Sequence, residues 1–171
     1  MALQPAKPLN FIRSAADAEG AVSFDVFVQD LPPDARTVAD IPDDFVPKPI
    51  GRRADIMAGI LRAAPATSFA DPTWGVIDGP GYSIEVNIGP EEELSGFAFH
   101  VRGGEEALFV VADILRELRL RAVAPGTDSG FFEPSELGAA YSAWQAYRRQ
   151  VVGGAPDAEP LYGPDSQERA S

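Results

Sequence analysis

Between Trp74 and Arg102 the chain reads WGVIDGPGYSIEVNIGPEEELSGFAFHVR, and its apolar residues recur with a period of two. Tyr82, Ile84, Val86 and Ile88 alternate with Ser83, Glu85 and Asn87, and Phe97, Phe99 and Val101 alternate with Ala98, His100 and Arg102. Successive side chains of a strand point to opposite faces, so each run predicts a strand with one apolar and one polar face. Gly75-Val76-Ile77 is a shorter β-prone run, parted from Tyr82 by the turn formers Asp78-Gly79-Pro80-Gly81. Three consecutive antiparallel strands are expected.

The same pattern places the flanking elements. Ala21 to Leu31 predicts a first strand with Phe24, Val26 and Val28 on one face and Ser23, Asp25, Phe27 and Gln29 on the other. Arg52 to Ala64 carries Ile56, Ile60 and Ala64 at spacings of four and predicts a helix stopped by Pro65. A second helix is expected from Glu105 to Leu120, with Leu108, Val111, Leu115 and Leu118 as its apolar stripe. Glu105 and Glu106 suit the positive end of its dipole, and Arg116 and Arg119 the negative end. Arg121 to Ala124 reads as a returning strand and Phe131-Phe132 as a short further one. Pro134 to Arg149 predicts a third helix with Leu137, Tyr141 and Trp144 inward, ended by Gly153-Gly154.

Residues 1–20 show no regular period and are expected to form a loosely ordered leader. Residues 21–152 form one domain and 153–171 a polar, proline-bearing tail. Pro32 to Gly51, with five prolines, is a long connection that reads either as a lid or as a stiffened excursion over the surface. Alternating antiparallel strands with helices between them predict an α+β two-layer sandwich, its helices on one face. The plan is ferredoxin-like with an extra strand, and one way to satisfy it places the first strand in the middle beside the strand that follows the second helix.

Parity constrains the polar face. Keeping Ile88 and Phe97 together on the core side allows register slips of two residues only. Pairing them puts Glu85 opposite His100 and Ser83 opposite Arg102. Glu85, His100 and Arg102 stay neighbours in every allowed register, with Asn87 beside them and Asp25 and Gln29 joining if the first strand is adjacent. These six are the candidate binding residues.

Composition narrows the chemistry. The 171 residues carry a formal charge of -12, which disfavours nucleic acid and anionic membrane surfaces and suits a basic protein partner. There is no cysteine, hence no thiolate chemistry and no cysteine-based zinc site. That absence, together with the lack of a signal-peptide apolar run, places the expected compartment in the cytoplasm. His100, the only histidine, could serve as a general base with Glu85 orienting it and Arg102 holding an anion. Against this stands a solvated face with cross-strand ion pairs, and no G-x-S-x-G elbow supplies a nucleophile. Asp78-Gly79-Pro80-Gly81 and Gly103-Gly104 match no phosphate-binding motif, and Asp40, Asp43 and Asp44 lack the ladder of a calcium loop. No cofactor, metal or catalytic residue is assigned. The acidic turn Glu91-Glu92-Glu93 is a second surface for a basic partner, and Trp74 and Trp144 are expected in the core.

The segments SFDVFVQDLP at Ser23 to Pro32, DPTWG, SIEVNIG, FHVRGG and RAVAPGTDSGFF resemble a family of small uncharacterised bacterial proteins, over about Ala21 to Ala140. In that family the opening strand lies close to the initiator methionine, so the first twenty residues depart from its pattern. The resemblance implies no activity or cofactor. A looser similarity links the element order to small bacterial immunity-type proteins. The expected function is a non-catalytic protein-interaction module. The competing classes are a small-molecule binder or enzyme built on His100, Glu85 and Arg102, and a homodimer formed through the sheet.

Overall fold

The computed structural model describes residues 23–153. The expected leader and the tail beyond Gly153 lie outside the described residues. The strands are β1 (Phe24–Gln29), β2 (Gly51–Arg52), β3 (Ser68–Asp71), β4 (Trp74–Gly79), β5 (Tyr82–Asn87), β6 (Glu93–Leu94), β7 (Gly96–Gly103) and β8 (Arg121–Val123). The helices are α1 (Arg53–Ala63), α2 (Glu106–Leu118) and α3 (Pro134–Gly153).

Six strands form one antiparallel sheet in the order β3-β4-β5-β7-β1-β8. With α1 between β1 and β5 and α2 between β7 and β8, the four strands β5-β7-β1-β8 reproduce the split βαβ arrangement of a ferredoxin-like plan. The predicted extra strand is β4. A second addition, β3, was not foreseen: its residues are mostly exposed and show no alternation, so period gave no signal there. Gly51–Arg52 and Glu93–Leu94 add a separate two-residue ribbon that ties the start of α1 to the β5–β7 connection.

The core lies between the apolar sheet face and the helices. Val26, Ile84, Val86, Phe99 and Val101 from the sheet meet Ile60, Val111 and Ile114 from the helices, and none is exposed to water. Burial of each such side chain contributes about 1.5–3 kcal/mol. α1 packs closely on α2: a Cβ placed at Gly59 would lie 2.3 Å from the end of the Leu118 side chain, which would have to turn aside to admit it. α3 closes the same layer, with Tyr141 edge-on to Phe24 and stacked on Trp144.

Two local devices fix the chain's path. Gly103 has φ 94°, and a Cβ there would sit 2.3 Å from the Gly81 carbonyl oxygen. The neighbouring Gly104 N–H donates to that oxygen at 2.9 Å. The glycine pair therefore brings the end of β7 onto the β4–β5 turn before α2 begins. At its other end α2 stops with Arg119 left-handed at φ 55°, while the Leu120 N–H closes back on the Leu115 carbonyl.

Candidate functional site

With all three helices packed against one face, the opposite face carries the polar residues of each strand. Its two halves differ. Over β1 and β8 it is covered: Leu31, Ala35 and Ile41 pack on Phe27, Ala98, Val123 and Phe131 as a second small hydrophobic cluster. Arg121 holds this cover down, donating to the Pro32 carbonyl at 2.8 Å and the Ala35 carbonyl at 2.9 Å while its guanidinium lies over the Phe131 ring. The Val38 N–H donates to the Ser129 carbonyl. The connection from Pro32 is thus an anchored cover, and the apolar residue that calls for it is Phe27, buried on the nominally polar side of β1.

The other half presents the candidate residues. β1 pairs with β7 so that Asp25 stands opposite His100, and β5 pairs with β7 so that Glu85 stands opposite His100 and Ser83 opposite Arg102. Of the registers that parity allows, the one with Ile88 facing Phe97 forms. Hydrogen bonding then departs from the expected division of roles. Asp25, not Glu85, orients the histidine, with His100 Nδ1 and Asp25 Oδ1 2.8 Å apart. Glu85 is committed to Arg102, Oε1 to Nη1 at 2.9 Å. The Ser23 hydroxyl donates to the same Asp25 oxygen at 2.5 Å. Between a fifth and a third of each of these four side chains (Asp25, Glu85, His100, Arg102) remains in contact with water.

Trp74 completes the group. Its ring stacks with His100 at 5.9 Å between centroids and 18° between planes. β4 and β7 are separated by β5, about 10 Å apart, so the two side chains must lean toward each other across β5. Trp74 therefore belongs to the polar face, a correction to its expected place in the core; Trp144 does pack against the core. A signal for this existed in the sequence. Pro80-Gly81 forms a two-residue turn, with Gly81 at φ 76° as its second central position requires. That turn pairs Gly79 with Tyr82 and hence Trp74 with Asn87. Asn87 lies beneath this group, between Trp74 and Ala98, whereas Gln29 pairs with Gly96 and Arg121 at the covered end, away from the cluster.

Chemically, a carboxylate accepts only, so Asp25 fixes a proton on His100 Nδ1 and orients the ring. Ser23 gives its proton to Asp25 rather than to Nε2, so it is not activated as a nucleophile. Among the described residues no three of His, Asp and Glu converge as a metal set. Asp40 has a local role: its carboxylate accepts the N–H groups of Thr37 and Arg36, which hold it below the usual carboxylate range. In the acidic turn, Glu92 pairs with Arg52 beside the start of α1. Gly103-Gly104 is occupied by its approach to Gly81. Among the described residues no helix is long and apolar enough to cross a membrane.

No family model matches the chain, and neither does any curated protein or solved structure.

Proposed function

We propose that this protein is a non-catalytic interaction module that offers the uncovered half of its sheet face to a basic protein partner. The supporting observation is the composition of that half: Trp74 and His100 at the centre, with Asp25, Asp78 and Glu85 around them and, among the described residues, Arg102 as the one arginine or lysine beside them. Tryptophan in the middle of a patch is a common anchor of protein interfaces, and the surplus of carboxylates favours a positively charged partner. The cytoplasmic setting rests on the absence of cysteine. The loose similarity to immunity-type proteins points to binding in the same way.

The test is affinity capture from lysate on immobilised wild type and on a Trp74→Ala, Asp25→Asn, Glu85→Gln variant. Basic proteins should be held by the wild type at roughly 50 mM salt, released at roughly 500 mM, and not held by the variant. The same proteins on both columns would remove the reading. Light scattering of the wild type should give a monomer, because a dimer formed through this face would mask it.

A second reading, a small-molecule site at His100, is favoured by one feature: Asp25 fixes Nδ1 and so orients a ring that is still partly open to water. Its test is a compound library screened on the His100 ring signals, with His100→Gln as control. A compound that binds both proteins equally would argue against it.

A further inference from the structure

The hydrogen bonds on the open half of the sheet leave a one-sided set of vacancies. Asp25 Oδ1 accepts from both Ser23 and His100, which leaves Oδ2. Glu85 Oε1 accepts from Arg102, which leaves Oε2. Two carboxylate oxygens thus flank the Trp74–His100 stack, and the Arg102 guanidinium beside them is already met by Glu85.

From this we infer that the side chain the face takes from its partner is an arginine guanidinium, seated against the Trp74–His100 stack with its N–H groups turned to Asp25 and Glu85. The inference rests on the interaction reading above and names the group that reading would recognise. A guanidinium is planar, has five donors and no acceptor, and lies readily on an indole. It therefore matches both the vacancies and the aromatic stack. An ammonium is a compact, strongly hydrated point charge and uses the flat surface less well. A carboxylate ligand would meet Asp25, Asp78 and Glu85 with like charge.

The test uses the full chain and three probes: N-acetyl-arginine amide, N-acetyl-lysine amide and N-acetyl-citrulline amide. Each is titrated while the His100 ring and the Trp74 indole N–H are followed by NMR. His100 is the only histidine, so its ring signals are unambiguous, and Trp74→Phe assigns the indole. Arginine amide should shift both signals saturably, binding roughly three- to tenfold tighter than lysine amide. Citrulline amide, isosteric with arginine but uncharged, should shift neither. Asp25→Asn and Glu85→Gln, made separately so that one folded variant suffices, should each weaken the arginine response. Equal response to arginine and lysine, an equal response to citrulline, or no response to arginine at all would overturn the assignment. If basic proteins are still captured by the wild-type face in that case, the arginine assignment alone has failed and the interaction reading stands.

Discussion

Replacing Tyr141 with phenylalanine separates one hydrogen bond from the packing that surrounds it. The Tyr141 hydroxyl donates to the Gly103 carbonyl at 2.5 Å. Its ring is 1% exposed, with centroids 5.4 Å from Phe24 and 5.0 Å from Trp144. Phenylalanine keeps both ring contacts. The Gly103 carbonyl is not stranded by the change, because Gln145 Nε2 also donates to it at 3.3 Å. The loss is then that of one ordinary hydrogen bond, about 1 kcal/mol. Tyr141→Ala removes the ring too and should cost about 3–5 kcal/mol. Urea unfolding followed by tryptophan fluorescence reads both, and Tyr141→Phe should lower the midpoint with the slope unchanged. Burial pushes the Tyr141 hydroxyl above its ordinary pKa of 10.0. The folded state thus favours the neutral phenol, so this contribution is complete below the ordinary value and shrinks as the pH rises past it. Tyr141→Phe should lack that alkaline loss. If it proves as unstable as Tyr141→Ala, the claim that ring packing dominates is refuted.

Further substitutions probe other parts of the account. Gly103→Ala forces a side chain onto the Gly81 carbonyl at φ 94° and should cost at least about 2–3 kcal/mol by the same unfolding assay. Arg119→Gly relieves a left-handed arginine at the end of α2 and should raise stability by about 0.5–1 kcal/mol; a lower melting temperature would contradict the cap. Glu85→Gln breaks a half-exposed ion pair and should change stability by no more than about 1 kcal/mol while reducing binding to the captured partner.

Local pattern made some elements legible and left others hidden. Tyr82 to Ile88 and Phe97 to Arg102 alternate without a break, so their strands and faces follow from parity, which leaves their mutual register open only to slips of two residues. The strand–helix–strand order is compatible with a central β1, and the sheet order selects that place. The partner of His100 was harder to foresee. Asp25 and His100 are 75 residues apart, and no short turn fixes how β1 aligns on β7, so only the folded sheet selects Asp25 over Glu85 as the orienting carboxylate. β3 was missed because Ser68, Ala70 and Asp71 all face water on an edge strand. The anchored cover was missed because its partners, Phe27, Ala98, Val123 and Phe131, come from four separate stretches. Phe27 among polar neighbours on β1 was the one trace of it.

The helical layer has exposed aromatic residues of its own, Phe109 at 68% and Tyr147 at 58%, and these offer a direct contrast to the sheet face. The measurement that bears most closely on the account is therefore carbene footprinting of the protein with and without its captured basic partner. Protection of Trp74, Val76 and His100, with Phe109 and Tyr147 labelled as before, is the predicted result. Protection of Phe109 and Tyr147 with Trp74 unchanged would place the partner on the helices and contradict the account.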